Sequence, residues 1–359
     1  MSDNFRRYRA IKQALKQLYP KEPKGNLARH LNTLAGLISG IVGSQRTNFP
    51  QVASKVPDGT ESQSRVKRFS RWVDNERIDP ETYFMPFAEV LLNSLANQTL
   101  VLVMDGSEVG RGCLTLMASV IYKHRALPIA WVVVQGNKGH FPVDTHVALL
   151  NQVQTFIPAE ADVIFLGDGE FDGVLLQTAV SGFDWHYVCR TAKNIILRQE
   201  GEEFAFETLD VEPGELLSLP DVTLRQRDYG PIHAIAWWDR EYAEPIYLLT
   251  NLELEHEACH WYRKRFRIET FFSDQKSRGF HLHQSHLSEP ERLTRLMLAA
   301  CLAYIWIVYL GVLALRDEWR KFVHRTDRCD LSLFQLGLRL LEHLLNEGKR
   351  IPVRFQMAE

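Results

Sequence analysis

Four residues with the means to handle phosphate and metal recur in one unbroken stretch: Tyr262, Arg265, Glu269 and Lys276, within residues 261–276. The stretch contains no Gly or Pro, and its apolar residues repeat at helical rather than alternating spacing. Stepping about 100° per residue from Tyr262, as an α-helix does, puts Arg265 near roughly −60°, Glu269 near −20° and Lys276 near −40°. All four then share a stripe about 20 Å long. Beside it run Trp261, Ile268 and Phe272, an apolar stripe able to seat the helix on a core. Arg and Lys neutralise phosphate, a Tyr hydroxyl donates to it, and a carboxylate is a hard oxygen ligand for a divalent cation. The same residues also suit a solvated helix face with favourable Glu, Lys and Arg neighbours.

The full spacing is Tyr, two residues, Arg, three residues, Glu, six residues, Lys. It resembles the YREK signature of the insertion-sequence-four family of bacterial DDE transposases, in which the Glu is the last catalytic carboxylate. The resemblance implies an RNase H-like catalytic domain and two aspartates upstream, at the ends of strands.

The remaining chain divides accordingly. Residues 1–97 read as a helical, basic, DNA-binding region, with an amphipathic helix over 5–19, an apolar one over 26–42 and another starting at Pro80. Between them, residues 61–73 present Val66, Phe69, Trp72 and Val73 on one face and Arg65, Lys67, Arg68 and Arg71 on the other. Such a helix can enter a major groove or lie along phosphates, or it can be a charged surface helix. Residues 98–194 read as the first part of the catalytic core. Three hairpin-connected strands begin with the apolar run to Asp105, then a helix, a strand ending at Asp168, a helix and a fifth strand follow. Residues 195–250 read as a small β-rich insertion. Residues 251–359 complete the core with the signature helix and two C-terminal helices. The predicted class is α/β (α+β): an RNase H-like mixed β-sheet with flanking helices, a β insertion and an α-helical N-terminal region.

In such a sheet the strands carrying Asp105 and Asp168 are neighbours, and the Glu269 helix packs across them. Three carboxylates can then hold two hard divalent cations through oxygen, and like charges packed this closely are costly without a cation. Glu108 and Glu170 compete for the same corners, and Asp172 can cap the following helix. The resemblance implies that Asp105, Asp168 and Glu269 bind two Mg²⁺ or Mn²⁺ ions. It also implies cleavage of transposon ends in double-stranded DNA, with transfer of the 3′-hydroxyl into target DNA. By the same resemblance Tyr262, Arg265 and Lys276 contact phosphates, and Trp237 or Trp238 could stack a flipped base, although paired aromatics also serve as core.

Composition bounds the alternatives. The 359 residues are 45% hydrophobic and 24% charged, as in a soluble globular protein. The net charge of −2 conceals an asymmetry, since residues 1–77 carry fifteen Lys/Arg against six Asp/Glu. A basic region on an acidic body suggests a polyanion-binding module. Five scattered cysteines without a CxxC pair argue for buried free thiols in a reducing cytoplasm, the bacterial cytoplasm or nucleoid, rather than for disulfides or structural zinc. The N-terminus has no signal-peptide pattern, and the apolar run Leu296 to Leu315 reads as a buried core helix rather than a membrane span.

His256-Glu257-Ala258-Cys259-His260 fits HExxH, a zinc-protease pattern, but lacks an obvious third ligand. Two further readings share the fold: a catalytically silent DNA-binding regulator, and an RNase H-like nuclease that cuts without joining. Coordinated cutting of two ends makes a homodimer on DNA the expected assembly.

Overall fold

The computed structural model describes residues 2–136, 140–316, 319–325 and 327–357. The chain opens with α1 (Asp3–Gln17), capped by the Ser2 side chain, which accepts from the Phe5 N–H. Its buried face, Arg7, Ile11 and Leu15, packs against α2 (Gly25–Ser44). Arg7 is buried because its guanidinium donates to the Ser39 carbonyl (2.9 Å) and to Asn4 (2.8 Å), so its donors stay satisfied. Helices α3 (Phe49–Ser54) and α4 (Ser62–Val73) follow, and α4 buries Phe69, Trp72 and Val73 as its apolar stripe predicts.

The single helix expected from Pro80 is two, α5 (Pro80–Tyr83) and α6 (Met85–Asn93), broken at Phe84. Pro86 causes the break: it lacks an N–H, and its ring cannot pass the carbonyl four residues back. That carbonyl, on Thr82, accepts instead from the Tyr19 hydroxyl at 2.8 Å.

Alternating apolar residues and turns then build the sheet. β1 (Leu100–Gly110), β2 (Cys113–Tyr122) and β3 (Arg125–Gln135) form an antiparallel meander. Helix α7 (Val143–Gln154) crosses to β4 (Val163–Gly167), and α8 (Val174–Gly182) crosses to β5 (His186–Thr191). β4 lies between parallel neighbours β1 and β5, and all five of its residues are buried, as a strand covered on both faces requires. The order β3-β2-β1-β4-β5 is the RNase H-like arrangement.

The β-rich segment does not form a sheet of its own. β6 (Ile196–Gln199), β7 (Glu202–Ala205), β8 (Leu216–Leu224), β9 (Tyr229–Trp237) and β10 (Ile246–Thr250) extend the same sheet to ten strands. β10 pairs with β5, covering an edge that would otherwise offer unpaired backbone groups.

Helices α9 (Glu255–Tyr262) and α10 (Arg267–Gln275) lead to α11 (Pro290–Arg316), short α12 (Arg320–Val323) and α13 (Leu333–Asn346). α11 contains the long apolar run, and 94% of its most apolar window is buried within the protein, against β3, α2 and α13. Gly311 and Gly337 let α11 and α13 touch backbone to backbone. A methyl at either would land on the carbonyl of Leu333 or Ile307. Four of the five cysteines are buried free thiols, and Cys329 departs from the expectation by being exposed.

Candidate active site

The apolar run places Asp105 at the end of its strand, and the structure corrects this. β1 runs five residues further, and Asp105 faces Met117 on β2. What does end nearby is the parallel ladder, whose last rung is Val103 with Leu166. β4 stops at Gly167, so beyond that point one side of β1 is open. Asp168 occupies the turn there: its Oδ1 accepts from the Glu170 N–H at 3.0 Å, and its carbonyl accepts from the Phe171 N–H at 2.9 Å. One aspartate is thus fixed by a continuing strand, the other by the turn that ends its neighbour.

The signature stretch is not one helix. α9 ends at Tyr262 and α10 begins at Arg267, with residues 263–266 in a turn. Lys264, Arg265, Arg267, Ile268 and Glu269 each donate to the residue three positions back, which tightens the coil and shifts the angular phase. Tertiary anchors explain the break. Arg263 pairs with Asp239, Arg265 turns to the carboxylates, and Arg267 donates to the Lys123 carbonyl, three alternate positions pulled in different directions. Neither Gly nor Pro marks the place, so spacing alone could not reveal it.

Despite the break, the four signature residues still converge. Arg265 Nη1 lies 3.6 Å from Asp168 Oδ2 and 4.0 Å from Asp105 Oδ2, while Nη2 lies 3.2 Å from Glu269 Oε1. Lys276 donates to Ser107 Oγ at 2.7 Å, and Ser107 shares the strand face of Asp105 because it is two residues on. Tyr262 is buried in the cluster beneath β4 and β10.

Electrostatics follow from burial. Desolvation, then Asp168, push the Asp105 carboxyl up to about 7, against the opposing pull of Arg265. Burial works against the Arg265 charge, yet Tyr262, Asp168, Asp105 and Glu269 outweigh it and raise its pKa. Burial raises Tyr262 to about 12, so its hydroxyl stays a donor. Desolvation lowers Lys276, partly countered by Glu108 and Asp105.

Among the described residues no three His, Cys, Asp or Glu side chains stand close enough to share one ion. The three carboxylates are joined through the guanidinium instead. Their donor set still fits a hard divalent cation: every donor is a carboxylate oxygen, and two of them already converge on a single positive nitrogen.

The rival carboxylates have other partners. Glu170 accepts from the Phe141 N–H (2.7 Å) and lies within 3.3 Å of both His146 and His140. Asp172 accepts from the Thr191 hydroxyl at 2.6 Å. Sequence reasoning misses Ser107, His140 and His146 as members of this neighbourhood. The i+2 relation to Asp105 is a signal that could have found Ser107; the two histidines carry none. A cavity of about 520 Å³ opens here, lined by residues including Gly106, Ser107, Glu108, His140, Glu170 and Lys276.

The outlying candidates are placed elsewhere. Arg65 donates to the carbonyls of Ala53 and Val56 (2.8 and 2.6 Å), and Arg68 pairs with Asp58 at 2.6 Å, so both hold α4 in place, while Arg71 is exposed. Trp237 is buried under the Arg263 guanidinium, and Trp238 Nε1 donates to the Tyr242 carbonyl at 3.1 Å. In the HExxH run, His256, Glu257 and His260 lie exposed on α9, and Trp261 Nε1 donates to Glu257 at 3.1 Å.

Fold and site together define a DDE-type domain, with one aspartate on a strand, a second in the turn that ends the neighbouring strand, and a helix-borne glutamate on an RNase H-like core. The family profile described as Transposase DDE domain matches residues 98–306, more than half of the chain, and the chain belongs to this family, whose function is DNA transposition. No curated protein sequence matches. Among solved structures, the piggyBac transposase synaptic complex with hairpin DNA is similar at a TM-score of 0.47 and 11% identity. That match covers 97% of this chain and 79% of the other.

Proposed function

We propose that the chain is a transposase of the insertion-sequence-four type, which cuts transposon ends and joins the released 3′-hydroxyl to target DNA. The observation that carries this reading is the convergence of Asp105, Asp168 and Glu269 on the one guanidinium of Arg265, itself part of the YREK spacing. Asp105, Asp168 and Glu269 would hold two Mg²⁺ or Mn²⁺ ions, which when bound supply activation of the attacking hydroxyl and stabilisation of the leaving oxygen. Arg265 and Lys276 would neutralise phosphates of the transposon end, and Tyr262 would donate its hydroxyl to them. In cleavage, oxygen from water forms the new bond to phosphorus and the 3′ oxygen departs with the electron pair. In joining, that 3′ oxygen makes the new bond and a target 3′ oxygen departs. The substrate is double-stranded DNA, at transposon ends and target, in the cytoplasm, with two copies of the chain on paired ends.

The test is cleavage and joining by the purified protein, with the element's own flanking ends, in Mg²⁺, Mn²⁺ or EDTA, beside Asp168→Asn. Metal-dependent release of 3′ ends followed by joined products, both absent from the variant, is the expected result. Nicks without joining would replace the reading by a nuclease, and binding without cutting by a regulator.

A further inference from the structure

A positively charged cleft lies apart from the carboxylates. It is a cavity of about 930 Å³ between α1 and the segment after α13, floored by Tyr309 and Leu313 of α11 and flanked by Trp319. Arg6, Arg9, Lys349, Arg350 and Arg354 line it, and no Asp or Glu does among the described residues. Arg6 serves the fold, because it donates to the carbonyls of Leu345 (2.7 Å), Leu344 (3.1 Å) and Lys349, closing the C-terminus of α13. The other four are exposed, and none is ion-paired among the described residues. Lys349 Nζ lies 4.7 Å from the Trp319 ring centroid.

Helix α4 is the contrasting case. There Arg65 and Arg68 are consumed by Asp58 and by backbone carbonyls. Around the cleft, cations from two distant parts of the chain face one channel with no carboxylate to neutralise them. Such an arrangement is stable beside an anion carrying regularly repeated charge. Tyr309 lies sixteen residues along α11 from Leu293, which packs against Gly110 at the end of β1. That is about 24 Å of helix, or roughly seven base pairs of duplex at about 3.4 Å each.

We propose that this cleft binds the phosphodiester backbone of duplex DNA, as a contact separate from the catalytic carboxylates. The choice of DNA over other polyanions rests on the transposase reading. The binding is electrostatic, so its signature is salt dependence rather than sequence preference.

The experiment measures duplex affinity by fluorescence anisotropy in EDTA, with the full chain carrying Asp105→Asn, so that cutting of the DNA cannot influence the result. Arg9→Gln/Arg350→Gln/Arg354→Gln is compared with Arg225→Gln/Arg227→Gln/Arg240→Gln, which removes the same charge from the two loops that flank β9. If each cleft arginine meets one phosphate, the slope of log affinity against log salt falls by about 2–3. The parent then loses roughly forty-fold more affinity than the cleft variant between about 50 and 200 mM salt. Arg354→Lys should keep most of the slope and serves as the folding-neutral check. An unchanged slope, or an equal drop in both triple variants, overturns the proposal. So does a cleft variant that binds DNA normally but loses binding to polyglutamate or to a second copy of the chain, which would make the cleft a protein-docking surface.

Discussion

Arg265 Nη1 stands 3.6 Å from Asp168 Oδ2, so a cation from the turn between α9 and α10 reaches the turn that ends β4. The guanidinium is the countercharge for both aspartates. Arg265→Ala should therefore destabilise the metal-free protein by about 1–2 kcal/mol, less than the loss of a fully buried partner costs, because the Asp168 side chain is 34% exposed. Millimolar Mn²⁺ should restore much of that, because a ligand bound only by the folded state stabilises it. Thermal unfolding in EDTA and in Mn²⁺ measures both, and an equal loss in the two buffers would show that the deficit is packing alone.

Glu269 offers a cleaner separation of folding from chemistry. Its side chain is 61% exposed, and a surface substitution away from special features changes stability by about 0.5 kcal/mol or less. Glu269→Ala should melt like the parent, bind duplex and fail to cut. A protein that loses its fold on this change would make the carboxylate structural.

Stability of the metal-free protein should fall with rising pH across the Asp105 window. The carboxyl titrates near 3.8 when unfolded and is raised to about 7 when folded, chiefly by burial. Between those values the folded state binds the extra proton, so the slope of unfolding free energy against pH is negative. Chemical denaturation at several pH values in EDTA should show a decline of a few kcal/mol that Asp105→Asn abolishes.

Helix α4 should divide by residue. Arg65→Ala leaves the Val56 carbonyl without its donor, while the Ala53 carbonyl keeps the Val56 N–H, and should cost about 1–3 kcal/mol. Arg71→Ala, at an exposed position, should leave stability unchanged and weaken duplex binding. The reverse assignment, read from melting and anisotropy together, would move the DNA-facing side of this helix.

Gly337→Ala tests the contact between α11 and α13. Its methyl would meet the Ile307 carbonyl, and the helices would have to separate, at a cost of about 1–3 kcal/mol or more. A melting temperature equal to the parent's would show that the pair can slide apart freely.

The first five strands, and the neighbourhood of Asp105 and Asp168, were legible because their signals are local. Apolar runs of strand length identify β4 and the first half of β1, helical spacing identifies α2, and an unbroken apolar run identifies α11. What escaped depends on partners far away in sequence. Asp239, Lys123 and Asp168 pull Arg263, Arg267 and Arg265 out of one helix, and no local residue records it. The edge of β5 chose β10 as its neighbour by backbone pairing, which leaves no side-chain pattern to read. Arg65 and Arg68 look like DNA contacts in one dimension because Asp58 and the Ala53 carbonyl are invisible there.

The pairing of Tyr247 with Thr191 has a consequence for how this gene can change. Everything encoded between those two codons builds the outer strands of the same sheet and returns to the rung beside Thr191. Insertions, losses or replacements inside that detour alter the far end of the sheet without lengthening the path from Asp168 to Glu269. Natural variation in size, and deliberate grafts of foreign modules, should therefore be tolerated there while β10 is kept, and rejected between β1 and β5.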